Sequence, residues 1–211
     1  MIPSKEEWYK ALVEKQGKEV QEKLSSATVL ICGCGGLGSN IALMLARAGL
    51  KKLILVDFDN VEITNLHRQL YKPWQIGESK AEALVENLKE YAPYVEYEAH
   101  VEKVSPENIE NLAKEADVVC EAFDKADAKA MLANAVLEKL PDKYYVSGSG
   151  MAGFKEANLI KTKKLSGKFY FCGDFQSDVN DGIGLISSRV TICAAHEAHA
   201  IIRILCGKFE V

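Results

Sequence analysis

A glycine-rich turn and the acid that follows it carry the first chemical signal in this sequence. The turn has the form Gly-x-Gly-x-x-Gly and comes directly after an apolar run over residues 27–32. Glycines let the backbone approach phosphate closely, and a helix that starts there offers free N–H groups and a positive dipole end. Asp57 ends the next apolar run, where an acid can accept hydrogen bonds from ribose hydroxyls. The pattern predicts a nucleotide site whose turn contains Gly33, Gly35, Gly36 and Gly38.

More polar side chains follow Asp57, and they suit a triphosphate better than a dinucleotide. A guanidinium can fork two phosphate oxygens, an ammonium supplies a compact charge, and a carboxylate can hold Mg²⁺ together with phosphates and water. A dinucleotide enzyme needs only the glycines and the acid, so an NAD-dependent oxidoreductase remains an alternative. The additional polar residues are Asp59, Asn65, Arg68, Gln69, Lys80 and Asp124.

These residues together resemble the motifs of the adenylating enzymes that include ThiF, MoeB and the ubiquitin-activating enzymes. That family has a Gly-x-Gly-Gly-Leu-Gly turn, Asp-x-Asp at the end of the second strand, Asn-Leu-x-Arg-Gln, Gly-x-x-Lys and an aspartate after the fourth strand. All five motifs occur here in order, and the resemblance is strongest over residues 28–130. The length of the chain is most similar to the short ThiF-like proteins of thiamine biosynthesis.

The resemblance implies an ATP-dependent adenylyltransferase that acts with Mg²⁺. The implied substrate is the C-terminal carboxylate of a small ubiquitin-like sulfur-carrier protein that ends in Gly-Gly. Arg68, Lys80 and Asp124 are the expected catalytic residues, with Asp124 as the metal ligand. Asp57 is expected to bind the ribose. The other implied nucleotide-binding residues are the four turn glycines with Asp59, Asn65, Arg68, Gln69 and Lys80.

The N-terminal segment departs from the family pattern. Relatives often carry an Arg-Tyr-x-Arg-Gln segment whose arginine reaches the ATP of a partner subunit, whereas residues 1–27 here contain no arginine. Either a lysine replaces that arginine or the contribution from a partner is missing. A homodimer therefore remains an open expectation.

Cysteine usage is a second departure. No Cys-x-x-Cys pair occurs, so the family's zinc site at its usual spacing is not expected. Cys172 alone remains of the first pair, and it is the nearest candidate for a nucleophile because the loop over residues 173–182 has no cysteine. Cys193, His196 and His199 form a Cys-x-x-His-x-x-His string, for which we favour a packed helix over a metal site because this spacing drifts around a helix.

Two further alternatives remain at this stage. Activation of a different carboxylate, as in the related threonylcarbamoyl-adenosine dehydratase, would use the same nucleotide chemistry. The other alternative is a degenerate module that binds nucleotide but has lost catalytic activity, because the N-terminal arginine and the loop cysteine of the family are missing. Both would share the adenylating fold.

Composition limits the remaining possibilities. A chain of 211 residues with 48% hydrophobic and 27% charged residues favours one globular domain over residues 1–211. The net charge of −4 makes nucleic acid an unlikely partner. No apolar run approaches the roughly 18 residues that cross a membrane, and the N-terminus lacks a secretory signal. We therefore expect a cytoplasmic protein without a membrane partner.

The elements that must position these residues alternate between strand and helix. This alternation predicts an α/β, Rossmann-like fold with a mostly parallel sheet covered by helices on both faces. A helical segment over residues 1–26 precedes it, and a β-rich part and a closing helix complete it. Strands are predicted at 28–32, 52–56, 94–100, 118–122, 144–147, 157–160 and 168–171. Helices are predicted at 37–48, 79–90, 106–115, 125–139 and 188–206.

Overall fold

A seven-stranded sheet forms the centre of the molecule in the computed structural model, which describes residues 2–178, 182 and 184–211. The strands are β1 (Thr28–Cys32), β2 (Lys52–Val56), β3 (Glu96–His100), β4 (Val118–Glu121), β5 (Tyr144–Gly148), β6 (Lys161–Ser166) and β7 (Phe169–Gly173). The helices are α1 (Lys5–Gln16), α2 (Lys18–Leu24), α3 (Gly36–Arg47), α4 (Lys80–Tyr91), α5 (Ile109–Leu112), α6 (Ala126–Lys139) and α7 (Ser187–Leu205).

The strand order is β3-β2-β1-β4-β5-β7-β6, and only the edge strand β6 runs antiparallel to its neighbour. The chain builds outward from β1 through β2 to β3 and then returns to place β4 on the other side of β1. Ligands of such sheets bind outside the carboxyl ends of the strands where the order reverses. The predicted α/β fold is confirmed, and it places a crevice at the ends of β1 and β4.

Side chains of the central strands alternate between two apolar cores. Val29 and Ile31 of β1 face the core formed with α3, α4 and α7. Leu30 and Cys32 face the second core, formed with α5 and α6. Because both faces of the strand are covered, all five residues of β1 are buried, as is typical of a parallel sheet.

Local capping explains where the helices next to the crevice begin and end. The Ser79 hydroxyl accepts a hydrogen bond from the Glu82 N–H, so α4 starts directly after it. Gly49 has φ +80° just after α3, which is the left-handed conformation that ends a helix. The lysine at the first position of α4, Lys80, is thereby held at a defined place beside the crevice.

The structure corrects two predicted elements. The predicted strand at 157–160 is wrong, since Ala157–Leu159 forms a 3₁₀ turn and the strand begins at Lys161. Strand β6 is an edge strand whose side chains are mostly exposed, so it lacks the apolar alternation that would reveal it. The predicted helix at 106–115 shortens to Ile109–Leu112 because the Asn108 carboxamide accepts a hydrogen bond from the Ser105 N–H and holds a turn there.

The predicted loop from 174 to 184 is only partly described. Residues 179–181 and 183 of that loop lie outside the described residues, as does Met1. The predicted closing helix follows it as α7, displaced by one residue at each end. Within the described part of the chain, no helix combines the length and apolarity that a membrane span requires.

Candidate nucleotide site

The glycine turn fits tightly between the end of β1 and the end of β4. Gly33 has φ +100°, and a Cβ atom there would lie 2.8 Å from the backbone oxygen of Ala122. A Cβ atom at Gly38 would lie only 1.8 Å from the backbone oxygen of Gly33. Both glycines are therefore required by packing, which lets α3 start close above the sheet.

The middle of the same turn is open. Gly35 is the N-cap residue of α3, and no side chain caps this end of the helix. The nearest atom to a Cβ at Gly35 would be the Gln69 Nε2 atom, 3.8 Å away. The first N–H groups of a helix have no partners within the helix and carry the positive end of its dipole. An anion can approach the backbone at this point of the turn.

Asp57 stabilises the turn from the end of β2. Its Oδ2 atom accepts a hydrogen bond from the Cys34 N–H at 2.6 Å, and its Oδ1 atom accepts one from the Asp59 N–H at 2.8 Å. Burial raises the pKa of the Asp57 carboxyl, although these two hydrogen bonds and Lys80 act in the opposite direction. Each carboxylate oxygen retains a lone pair that can accept a further hydrogen bond, and ribose binding by Asp57 stays a prediction.

Lys80 lies beside the turn and pairs with Asp59. The Lys80 Nζ atom is 3.0 Å from the Asp59 Oδ2 atom, and the lysine side chain is 9% exposed against 51% for the aspartate. The backbone joins the two as well, because the Lys80 N–H donates to the Asp59 carbonyl. A buried ammonium with an exposed carboxylate partner can exchange that partner for a phosphate at the surface of the site.

Tyr71 connects this lysine to the glycine turn, and nothing in the sequence pattern indicated it. Its hydroxyl lies 2.7 Å from the Cys34 carbonyl oxygen and 3.2 Å from the Lys80 carbonyl oxygen. Burial raises the pKa of this phenol well above its usual range, so it remains a hydrogen-bond donor. The turn and the start of α4 are therefore fixed relative to each other.

Arg68 packs along the glycine turn with part of its guanidinium unpartnered. Its Nη1 atom donates to the Thr64 carbonyl at 2.9 Å and lies 3.4 Å from the His67 Nε2 atom, while its buried Nε atom has no hydrogen-bond partner among the described residues. Partial burial lowers the pKa of this guanidinium, and the negative charge of Asp124 offsets part of that effect. Asn40, a second residue that sequence reasoning missed, donates from Nδ2 to the carbonyls of Gly36 and Arg68.

Asn65 and Gln69 lie in the same connection but make different contacts. The Asn65 Oδ1 atom accepts a hydrogen bond from the Glu62 N–H at 3.0 Å, which closes the short 3₁₀ helix Ile63–Asn65. The Gln69 side chain is nearly buried next to Gly35, and its Oε1 atom has no hydrogen-bond partner within the described residues. Asn65 shapes the connection, whereas Gln69 offers an unused polar group to the turn.

Asp124 is exposed at the end of the turn that follows β4, on the Arg68 side of the crevice. A buried ion pair holds this turn. The Lys129 Nζ atom lies 2.9 Å from the Glu121 Oε1 atom and also donates to the Gly148 carbonyl. The same Glu121 atom accepts a hydrogen bond from the Phe123 N–H at 2.6 Å. This network, which the sequence did not indicate, fixes the backbone next to the candidate metal ligand.

The thiols singled out in the sequence are buried inside the protein. Cys172 is fully buried on β7, where its sulfur is 3.5 Å from the Thr162 hydroxyl. Burial raises the pKa of the Cys172 thiol, which leaves it a poor nucleophile. Cys193 is buried against Glu197, while His196 faces Thr162, so the helical string divides between two directions. Among the described residues no three such side chains converge on a metal position.

The structure thus gathers most of the predicted residues around one crevice. The open N-terminus of α3 is surrounded by the turn glycines, Asp57, Asp59, Gln69 and Lys80, with Arg68 along its side and Asp124 near Arg68. Such a site offers backbone N–H groups, one guanidinium and one ammonium to an anion. A carboxylate at its rim can add Mg²⁺. These groups fit a nucleoside triphosphate with its metal ion.

Comparison with known proteins supports this interpretation. Residues 9–211 match the model of the ThiF family. The adenylyltransferase and sulfurtransferase uba4 of Aspergillus niger is 39% identical over 141 residues, which cover 66% of this chain and 29% of that protein. The adenylyltransferase and sulfurtransferase MOCS3 of Anopheles gambiae is 36% identical over 204 residues, or 93% of this chain and 45% of that protein. The chain spans less than half the length of these relatives.

Solved structures share the fold. The E. coli tRNA N6-threonylcarbamoyladenosine dehydratase TcdA, solved in complex with ATP, superposes with a TM-score of 0.85 at 20% identity, over 99% of this chain and 98% of that chain. E. coli MccB, solved with AMPCPP and MccA, gives a TM-score of 0.70 at 21% identity, over 90% of this chain and 59% of that chain. Because nearly the whole length of the chain matches the family model, the chain belongs to the ThiF family.

Proposed function

We propose that this chain is an ATP-dependent adenylyltransferase that activates the C-terminal carboxylate of a small ubiquitin-like sulfur-carrier protein ending in Gly-Gly. One observation supports it above the others. The open N-terminus of α3 is faced by Arg68, whose buried Nε atom lacks an acceptor in the part of the chain that the structure describes. Phosphate oxygens would satisfy that donor and the free helix N–H groups together. The relatives named as adenylyltransferases add to this support.

The chemistry joins two anions. An oxygen of the carrier's carboxylate attacks the α-phosphorus of ATP, the bond to the β-phosphate oxygen breaks, and pyrophosphate leaves with the electron pair. Because the reactants repel each other, catalysis depends mainly on positioning and on neutralising charge. Arg68 and Lys80 supply fixed positive charge beside the turn, and Asp59 can release Lys80 to the phosphates. Asp124 would hold Mg²⁺, which supplies further charge neutralisation when bound.

The later fate of the acyl-adenylate belongs to the same proposal. A sulfur donor attacks the adenylate and displaces AMP. Cys172 is fully buried in this structure, so we assign the attacking sulfur to a separate donor. We place the reaction in thiamine or related sulfur-cofactor biosynthesis in the cytoplasm. A homodimer with a partner lysine in place of the missing arginine remains part of this hypothesis.

ATP–pyrophosphate exchange tests the proposal directly. The purified chain is incubated with ATP, labelled pyrophosphate and candidate carriers that end in Gly-Gly, with the same carriers lacking the last glycine as the control. Exchange is expected only with the intact tail, because the shortened tail would hold its terminal carboxylate too far from the α-phosphorus. Absence of exchange with every intact carrier would contradict the proposal.

A second function is favoured by one specific observation. TcdA matches this chain along 98% of its own length, more than the curated relatives do. Its name gives N6-threonylcarbamoyladenosine in tRNA as the substrate, which carries another carboxylate that ATP can activate. Production of AMP with tRNA that carries this base, and none with a carrier, would favour the second function. Thermal shifts with ATP, AMP and NAD also test an oxidoreductase, since bound ligand raises the melting temperature.

A further inference from the structure

A cavity separate from the glycine turn lies beside the C-terminal half of α7. It has a volume of about 500 Å³ and is bounded by the start of β6, by β7 and by residues 208–211. This volume falls within the roughly 300–1,000 Å³ that small-molecule sites occupy. The cavity is therefore large enough to enclose a small organic ligand.

Distance along α7 separates this cavity from the nucleotide crevice. Val190, in the first turn of α7, lies 3.1 Å from where a Cβ of Gly36 would be, so that end of the helix contacts the glycine turn. Arg203 lines the cavity near the other end of the helix. At about 1.5 Å of rise per residue, the cavity residues His196 and Arg203 lie roughly 9 Å and 20 Å further along the axis than Val190. The cavity therefore lies along the part of α7 beyond the turn that contacts Gly36.

Positive charge dominates the lining of the cavity. Lys161, Arg203 and Lys208 are all present, against Glu210 as the one acidic side chain of the lining. Throughout the described residues, none of these three cations has a carboxylate oxygen within salt-bridge distance. Arg203 donates from Nη2 to the backbone carbonyl of Glu210 at 2.7 Å, which leaves its charge uncompensated. An anion with more than one negative charge would offset this excess.

The remaining lining is apolar with two imidazoles. Tyr170 and Ala200 are buried and present carbon surface to the cavity. The His196 Nδ1 atom lies 3.0 Å from the Thr162 hydroxyl, which fixes the ring and leaves Nε2 for a ligand. His199 follows on the exposed side. A ligand that suits this lining has an apolar or aromatic body as well as its charge.

We propose that this cavity is a second binding site that takes a small phosphate ester with an apolar body. A phosphate monoester is close to a dianion at neutral pH, and its three free oxygens accept hydrogen bonds from guanidinium, ammonium and imidazole groups. A simple carboxylate carries only one charge and suits three cations less well. This site is independent of the nucleotide crevice and of the adenylation chemistry proposed there.

Imidazole NMR of the full chain tests the site. The chain has four histidines, two at the cavity, His67 beside Arg68 and His100 at the end of β3. Titration with phenyl phosphate is expected to move the His196 and His199 signals saturably, while His100 stays unchanged. Inorganic phosphate should bind more weakly, because it lacks the apolar body.

Matched charge variants locate the binding. Lys161→Glu removes an exposed cation from the cavity without breaking a side-chain hydrogen bond, and it should weaken phenyl phosphate about fivefold or more. Lys89→Glu makes the same charge change on the exposed face of α4. This helix packs beside β3, at the opposite edge of the sheet from β6, so the change should alter affinity less than twofold. Folding of both variants is checked by the unchanged His100 signal.

Three results would overturn the proposal. The His196 and His199 signals could stay still at millimolar phenyl phosphate, or they could move only together with His67. Equal weakening by Lys161→Glu and Lys89→Glu would show a general charge effect in place of a site. Signals that respond to protein concentration and not to ligand would show that a second copy covers the cavity.

Discussion

Two of the three arginines that are partly or fully withdrawn from water, Arg189 and Arg68, have opposite surroundings. Arg189, in the first turn of α7, is 3% exposed and lies 2.7 Å from the Asp174 carboxylate, with further hydrogen bonds to the carbonyls of Lys155 and Glu156. Arg68 is less buried and donates to one backbone carbonyl, with no carboxylate in salt-bridge distance among the described residues. Burial lowers its pKa.

The comparison separates a structural charge from one that is available to a ligand. Arg189 ties three segments together: the loop after β7, the loop after β5 and the start of α7. Its positive charge is neutralised by a carboxylate inside the protein. The buried Nε atom of each arginine lacks a hydrogen-bond partner among the described residues, so the two differ in their carboxylate partners: Arg189 has Asp174, whereas Arg68, packed on the glycine turn, has none. A positive charge that is held in a defined position and has no carboxylate partner is suited to binding a phosphate.

The largest effect is expected from breaking the buried pair. Arg189→Met leaves the Asp174 carboxylate buried without its partner, which should lower the free energy of unfolding by about 3–5 kcal/mol. Urea denaturation measures the loss. Adding Asp174→Asn to Arg189→Met should restore part of it, because the uncompensated charge is removed. A change below about 1 kcal/mol in the single variant would show that the pair is not structural.

Removing the other arginine should affect activity and leave stability nearly unchanged. Arg68→Ala is expected to lower the rate of ATP–pyrophosphate exchange about 100- to 1,000-fold, since a positioned donor to the reacting phosphates is lost. Its free energy of unfolding should change by about 1 kcal/mol or less. Arg47→Ala, on the exposed last turn of α3, serves as the control and should retain full exchange. Equal exchange activity of the two variants would show that Arg68 does not contribute to the site.

Acid should weaken the structural region through Asp174. Although burial raises the pKa of this carboxyl, hydrogen bonds from Ser177, Gln176 and Arg189 outweigh it and lower the pKa to about 2. The unfolded value is 3.8, so the contribution of about 2 kcal/mol is complete above about pH 4 and is lost as pH falls towards 2. Denaturation midpoints across this range measure it. In Asp174→Asn this part of the pH dependence should disappear, and an unchanged profile would contradict the assignment.

A smaller effect should sharpen the functional side of the comparison. Asp124→Asn is expected to raise the Mg²⁺ concentration for half-maximal exchange about tenfold, because an amide binds the metal less strongly than a carboxylate. Asp127→Asn, three residues later and also exposed, should leave that concentration within twofold. Titration of exchange activity with MgCl₂ measures both. Equal Mg²⁺ dependence of the two variants would place the metal elsewhere.

Prediction from sequence succeeded where the signal was local. The glycines and Asp57 follow buried strands directly, so their place at the strand ends could be inferred from spacing alone. Tyr71, Asn40 and Lys129 could not be found in this way. Each acts through a hydrogen bond to a residue that is distant in sequence or in another element, and its own neighbourhood shows no motif.

The C-terminal part shows the same limit for secondary structure. Strand β6 has the sequence Lys-Thr-Lys-Lys-Leu-Ser, which has neither apolar alternation nor a buried face. It becomes a strand because β7 offers it an unpaired edge to which it can hydrogen-bond. The prediction of a strand at 157–160 relied on the apolar residues that precede β6.

The amino-acid sequence by itself determined the alternating architecture, the glycine turn, the order of the polar motifs after it and hence the family resemblance. These features depend on periodicity and spacing, which are properties of the chain. Only the tertiary structure decided which charges remain available. Arg189 finds Asp174 and is neutralised, whereas Arg68 meets no described carboxylate, because the pairing of charges depends on which elements fold against each other.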